Sequence, residues 1–195
     1  MPDILNYNQE VYRKFIHISS SSIAILLWIL GKDIFLPFII AATIIFLLID
    51  YLRINIHTLE KFYFTLFGNV TRHYEHHSIS GASWVFIGAA ASIFLFNEKV
   101  AIIVLLVMSL SDSAAAIIGI KYGSTNLFNK SLEGSSVFFI TSTIIIFSLS
   151  PALFIVNIIA VLVSVIFELL STPVLNDNLL IPVATGLVLT VGGVV

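Results

Sequence analysis

Seven apolar runs limit this chain more than any other feature. They lie at about residues 15–31, 34–52, 82–96, 100–119, 136–149, 152–170 and 179–195. Runs of this length and apolarity read as membrane helices, although several fall short of the ~20 residues of a comfortable span. Of 195 residues, 58% are hydrophobic and 10% charged, too apolar for a soluble domain of this size. The expectation is an all-α, polytopic integral membrane bundle of about seven helices, one domain over 1–195. Arg13 and Lys14 before the first run imitate a signal peptide, but Gly31-Lys32-Asp33 leads straight into another apolar run. With no cleavage pattern there, the stretch reads as the first span.

The net charge of -2 offers no basic field for nucleic acid. With no cysteine, disulfides, iron–sulfur clusters and cysteine zinc sites are excluded.

The connecting segments alternate. Gly31-Lys32-Asp33, Asn97-Glu98-Lys99 and Ser150-Pro151 are tiny, whereas about 53–81, 120–135 and 171–178 are longer and share their side with the N-terminus. Arg13, Lys14, Arg53, Lys61, Arg72, Lys121 and Lys130 fall on that second side, and only Lys32 and Lys99 fall opposite. The positive-inside rule makes the N-terminus and the long loops cytoplasmic. Every acid except Asp33 and Glu98 among those near the spans, and all the histidines (His17, His57, His73, His76, His77), fall on the same side or at its boundary. Topology alone does not require that, so a polar site is expected at the cytoplasmic boundary. Within 53–81, Ile56, Leu59, Phe62 and Leu66 alternate with His57, Glu60 and Lys61, the pattern of an amphipathic helix in the interface.

Several polar groups stand out by spacing. "EVYRKFIH" places Glu10, Arg13, Lys14 and His17 on one face of a helix. A snorkelling anchor explains Arg13 and Lys14 but not the acid and the histidine. Asp50 and Arg53, and Arg72 and Glu75, stand at i, i+3 and read as boundary ion pairs. The adjacent His76 and His77 of "HYEHH" diverge on a helix, so no histidine metal site is expected.

"SLSDSAAAIIGIKYG" carries the sharpest signal. Asp112 stands about seven residues, or ~10 Å, from the inner end of its run. A carboxylate at membrane depth costs a few kcal/mol and faces a bundle interior or wet cavity. Its small neighbours leave room for a helix or a ligand, and Gly119 and Gly123 bracket a turn that backbone could bring close to a ligand. "NKSLEGSS" then supplies Lys130, Ser131, Glu133, Gly134 and Ser135 at the start of the fifth run. A helix start of this kind presents backbone N–H groups to phosphate, and Lys130 adds a point charge. Glu168 is a second acid at membrane depth, while Asp177 and Asn178 offer either a helix cap or oxygen ligands for a hard cation such as Mg²⁺.

In this order, "RKFIH", "IDYLR", "SGASWVFIG", "LSDSAAAIIGIKYG", "KSLEGSS" and "DNLLIPVATG" resemble the CTP-dependent membrane lipid kinases, a group of dolichol, phytol and CTP-using diacylglycerol kinases. Phosphatidate cytidylyltransferases are broader relatives, but they carry a late basic signature, and this chain has no Lys or Arg after Lys130. The resemblance implies transfer of the γ-phosphate of a nucleoside triphosphate, CTP, to the hydroxyl of a membrane lipid alcohol, with Mg²⁺ as cofactor. In a prokaryote the bilayer is the plasma membrane and the site faces the cytoplasm. On that reading Asp112 holds Mg²⁺ or accepts the hydroxyl proton, both roles staying open, and Glu133 and Asp177 are further metal ligands. Lys130, Ser131, Gly134 and Ser135, with Gly119 and Gly123, hold phosphate, and Arg13, Lys14 and His17 add charge or contact the nucleotide. Glu10, Asp50, Arg53, Arg72, Glu75, Glu168 and Asn178 are secondary candidates. Two alternatives differ in class: a cytidylyltransferase making a CDP-lipid, and a small transporter using Asp112 and Glu168 as relays.

Overall fold

The computed structural model describes residues 7–128, 130–172 and 176–195; positions 173–175 of the expected 171–178 loop lie outside them. The first apolar run forms α1 (Tyr7–Ser19) and α2 (Ser21–Leu30), which meet at Ser20. Gly31 then reverses the chain at φ +77, a conformation that suits a residue without Cβ. There follow α3 (Lys32–Asn55), α4 (His57–Phe67), a 3₁₀ turn over His73–His77, α5 (Gly81–Leu95) and α6 (Glu98–Leu106). A π-helical turn, Val107–Ser111, joins α6 to α7 (Asp112–Tyr122). The strands β1 (Asn126–Leu127) and β2 (Lys130–Ser131) form a small antiparallel hairpin. The chain closes with α8 (Leu132–Leu149), α9 (Phe154–Leu170) and α10 (Asp177–Val191).

Four helical stretches are long and apolar enough to cross a membrane: Tyr7–Leu30, Lys32–Asn55, Glu98–Tyr122 and Leu132–Leu149. The shorter apolar helices Gly81–Leu95, Phe154–Leu170 and Asp177–Val191 account for the other three runs. The protein is thus an all-α, polytopic membrane protein. The expected interfacial segment is α4, which buries none of its residues and exposes Leu59, Phe62 and Leu66 along one side.

The packing is inside-out relative to a soluble bundle. Trp28, Phe38, Ile44, Phe154 and Ile155 are all more than half exposed, as lipid-facing side chains should be. The interior instead takes small polar groups. Ser92, Ser109, Ser113 and Ser142 are fully buried, and each returns its hydroxyl to the carbonyl four residues back. That bond satisfies the hydroxyl without a partner helix, and the small side chain lets helices approach. On α9 the buried stripe is Asn157, Ala160, Val161, Ser164 and Glu168, spaced to keep one face toward the bundle.

Two apolar clusters share the α6 wall. One packs Val100, Ile103 and Val104 against Phe138, Ala160 and Ile181; the other packs Ala101 and Leu105 against Leu27, Ile39 and Ile93. α6 and α7 are therefore the centre of the fold, and Asp112 is on that central helix.

The short turns gather at one end. Glu98 accepts from the Lys32 backbone N–H at 2.9 Å, and the Asn97 amide donates to the Val194 carbonyl at 2.7 Å. The other end collects the second half of α3, the 3₁₀ turn, the hairpin and the starts of α5, α8 and α10. Gly88 helps place α10 there: a Cβ on it would lie 1.9 Å from the Asn178 carbonyl oxygen. Only glycine allows that crossing of α5 and α10.

Candidate active site

The buried face of α1 splits its polar residues between two neighbours. Tyr12, Phe15 and Ile16 point outward, while Glu10 and Lys14 are buried. The deeper half of that face meets α7. Lys14 forms an ion pair and hydrogen bond with the Asp112 carboxylate. His17 Nε2 lies 3.6 Å from the same oxygen and 3.1 Å from the Met108 carbonyl. A carbonyl only accepts, so Nε2 carries a proton.

The helix that carries Asp112 runs past the end of the apolar run. α7 extends to Tyr122, so the aspartate stands ten residues, ~15 Å, before the helix end. Spacing also concealed the π-turn immediately before it. A π-turn inside a helix widens the backbone and recurs at functional sites; here it offers the Met108 carbonyl to His17 and packs Ser109, Ser111 and Asp112 inward. Among the described residues the fully buried Ser111 hydroxyl has no hydrogen-bond partner.

A second cation approaches from the hairpin. The register sets Lys130, the first residue of β2, opposite Leu127, and Phe128 takes φ +56 in the turn. Lys130 Nζ lies 3.3 Å from Glu168 Oε1 on α9 and 3.7 Å from Asp177 Oδ2 on α10. Glu168 also accepts from Ser135 Oγ at 3.0 Å. Burial opposes the charge on Lys130, but the carboxylates of Asp177, Asp112 and Glu168 outweigh it and push its pKa above the usual lysine range. Asn176, not Asp177 or Asn178, caps α10, its side chain accepting from Asn178 N–H at 3.0 Å. Asp177 is left to face Lys130.

The shallower half of the α1 face meets the 3₁₀ turn, and here the expected local pairing is wrong. Arg72 does not pair with Glu75. Arg72 reaches Glu10 at 2.9 Å, and Glu75 binds Arg13 at 3.2 Å. The reason is backbone shape: Arg72 is extended, φ -76 and ψ 154, immediately before the turn, so the i, i+3 side chains do not share a helical face. The Glu10 carboxylate and Arg72's own burial act on Arg72 in opposite senses, and the carboxylate prevails, raising its pKa. Asp50 and Arg53 do pair, at 2.7 Å, but as a buried clamp rather than a boundary pair. Asp50 Oδ2 accepts from Ser80 N–H and from the Ser80 and Ser83 hydroxyls, while Arg53 donates to the Glu75 and Ser78 carbonyls at 2.9 and 2.7 Å. This clamp holds the turn that carries Glu75, and through it Arg13.

The glycines and Ser131 have internal work. A Cβ on Gly119 would meet Ser131 Oγ at 2.8 Å and the Gly134 Cα at 3.4 Å; one on Gly134 would meet the Ala115 carbonyl at 2.9 Å. Gly119 on α7 and Gly134 on α8 thus face each other's helix, and a Cβ on Gly123 would meet the Ser131 side chain at 2.7 Å. Ser131 Oγ caps α8 by accepting from Gly134 N–H at 3.1 Å, so that N–H is already engaged. Glu133 turns away to Ser124 Oγ at 2.5 Å and the Thr125 N–H at 3.2 Å. Among the described residues, no group of three or more His, Cys, Asp or Glu side chains is placed to hold a metal ion.

The structure therefore forms two contact groups, Lys14 with His17 and Asp112, and Lys130 with Ser135, Glu168 and Asp177, near enough that the Asp112 carboxylate acts on the charge of Lys130; Arg13, Arg72, Glu10 and Glu75 form a further set around the start of α1. A cleft of about 680 Å³ lies elsewhere: Trp28, Asn97, Glu98 and Ile102 line it at the opposite end. It is mostly apolar, and its charged lining residues, Glu98 and Lys99, belong to neither lysine–carboxylate group.

Fold and site together define an integral membrane protein with a charged cluster at one end of a helical bundle. The chain is 36% identical over 141 residues to CTP-dependent diacylglycerol kinase 1 of Saccharomyces cerevisiae, covering 69% of this chain and 48% of that protein. It is 30% identical over 141 residues to the kinase of the same name from Eremothecium gossypii, covering 69% of this chain and 44% of that one. An uncharacterized protein of Rickettsia prowazekii is 29% identical over 188 residues, 92% of each chain. These matches place the chain in the CTP-dependent lipid kinase family. It spans about half the length of the two kinases that it matches. No family model matches the chain, and no solved structure does.

Proposed function

We propose that this protein transfers the γ-phosphate of CTP to the hydroxyl of a membrane lipid alcohol at the cytoplasmic boundary of the bilayer. The observation that carries this reading is the nearness of two lysine–carboxylate groups at the loop-rich end, Lys14 with Asp112 and Lys130 with Glu168 and Asp177. Phosphoryl transfer asks a protein mainly for positioning and for charge to offset the phosphates. A lipid hydroxyl is held at the bilayer boundary, and the nucleotide arrives from water, so the two meet only at such an end. Diacylglycerol is the favoured acceptor because two relatives carry it in their names; polyprenol and phytol-like alcohols present the same primary hydroxyl.

Lys14 and Lys130 bind phosphate, and Arg13 supplies a third cation from the adjoining face. Asp112 orients Lys14 and is the group placed to receive the hydroxyl proton, with the proton-bearing Nε2 of His17 3.6 Å from its carboxylate. Charge balance favours a divalent cation with the nucleotide. Two ammonium groups face three carboxylates at the centre of the site, leaving no surplus positive charge for a triphosphate. Mg²⁺ typically uses one or two carboxylates plus substrate phosphates rather than an all-protein cage. Asp177, with 26% of its side chain exposed, is the carboxylate suited to it; when bound, Mg²⁺ would neutralise phosphate charge.

The test uses purified protein in lipid nanodiscs with CTP labelled at the γ or α position, offered diacylglycerol, polyprenol and phytol. The reading expects γ-label in the lipid and CDP as product. Incorporation of α-label with pyrophosphate release would instead establish a cytidylyltransferase. Failure to label any lipid alcohol from CTP sinks the kinase reading.

A further inference from the structure

Lys130 is shared by two carboxylates that differ sharply in burial. The Glu168 side chain is 2% exposed and the Asp177 side chain 26%. Glu168 sits on the buried stripe of α9 and has a second tie, accepting from Ser135 Oγ at 3.0 Å. Asp177 is on the first turn of α10, and its other oxygen accepts from the neighbouring Asn178 N–H at 3.0 Å. The cost of losing the ammonium is therefore unequal. A buried carboxylate stripped of its cation keeps an uncompensated charge in a poorly solvated place. A partly exposed one is rehydrated and loses little.

We propose that Glu168 is the positioning residue for Lys130 in nucleotide binding, and that Asp177 is its exchangeable partner. When phosphate arrives, Lys130 keeps Glu168 and releases Asp177, so that its remaining N–H donors turn to the phosphate. Glu168 itself touches neither phosphate nor lipid. It acts by holding the ammonium at the mouth of the site, and Ser135 holds Glu168. This inference rests on the CTP reading and adds to it a distinct role for each acid.

The experiment measures equilibrium binding of CTP in chelator-treated buffer, so that no metal contributes, together with steady-state transfer with Mg²⁺ present. Glu168→Gln is expected to weaken metal-free CTP binding at least fivefold and to raise the KM for CTP with little change in kcat. Asp177→Asn is expected to leave metal-free binding unchanged or tighter, because it removes a competitor for the ammonium. Lys130→Gln should weaken binding as much as Glu168→Gln, and the double variant no further. If Glu168→Gln unfolds in detergent, Ser135→Ala provides the same readout and is expected to weaken binding two- to threefold. Metal-free binding unchanged in Glu168→Gln, or weakened equally in Asp177→Asn, overturns the proposal. So does a kcat loss without a KM change, which would put Glu168 in the chemistry. If wild-type protein neither binds CTP nor transfers its phosphate, the CTP reading itself fails, a result distinct from any of these.

Discussion

The Lys14 ammonium on α1 closes an ion pair with the Asp112 carboxylate on α7 across 98 positions of sequence. Both side chains are at most 10% exposed. The pair answers the problem posed by a carboxylate in the middle of a membrane helix: the charge is matched by a neighbour rather than exposed to lipid. It also presents a lysine, held in place, beside His17 and near Lys130.

Asp112→Asn should lower γ-phosphate transfer at least ~100-fold, the usual weight of a positioned acid–base group. The amide keeps the side-chain volume, so the amount of folded protein extracted from membranes should stay within about twofold of wild type. Labelled-CTP assays and size-exclusion profiles of the two proteins check this. Near-normal turnover in the variant would remove Asp112 from the mechanism.

The crossed pairing of Arg13, Glu10, Arg72 and Glu75 is open to double-mutant cycles on unfolding in detergent. The Arg13–Glu75 and Arg72–Glu10 cycles should each show coupling of about 0.5–3 kcal/mol, and the Arg72–Glu75 cycle less than ~0.5 kcal/mol. The opposite ranking would restore the local i, i+3 pair.

Gly88→Ala tests the crossing that positions Asp177. Its Cβ would lie 1.9 Å from the Asn178 carbonyl oxygen and 2.9 Å from the carbonyl carbon, and backbone cannot yield as a side-chain tip can. Overpacking of this kind costs about 1–3 kcal/mol. A lower thermal midpoint and weaker CTP binding are expected together, since α10 must shift. A midpoint equal to wild type would show that α10 does not rest on α5 at this point.

Lys130 has a raised pKa, and the sign of its linkage follows. A base whose folded pKa exceeds its unfolded value contributes its full stabilisation below the unfolded value and loses it only as pH rises through the folded one. Thermal stability and CTP binding should therefore show no limb from Lys130 between about pH 7 and 10. Any limb in that window should persist in Lys130→Gln; one that disappears in that variant would contradict the raised pKa.

How much of this was legible in the chain varies by residue. Lys14, Asp112 and Lys130 were visible because a charge near an apolar run stands out against its neighbours. Asp50 and Arg53 were visible because their spacing places them on one helical face, as it does in the structure. The same rule failed for Arg72 and Glu75, which straddle an extended residue and a 3₁₀ turn. The bond between Glu168 and Ser135 was not legible, although both residues had been singled out, because no spacing rule links positions 33 apart. The π-turn left only a faint trace, the serine-rich "MSLSDS", since helix widening depends on what packs against the turn.

The sequence alone determined the seven apolar segments and the grouping of charge on one side of them. Hydropathy and charge are local properties that add along a chain, so they survive without coordinates. Only the tertiary structure decided which charge answers which. Lys14 is matched to Asp112, Lys130 to Glu168 and Asp177, and Arg72 to Glu10 because helix crossings, such as that of α5 with α10 at Gly88 and that of α7 with α8 at Gly119, bring those atoms within reach. An ion pair falls off with distance through space, and that distance is set by packing.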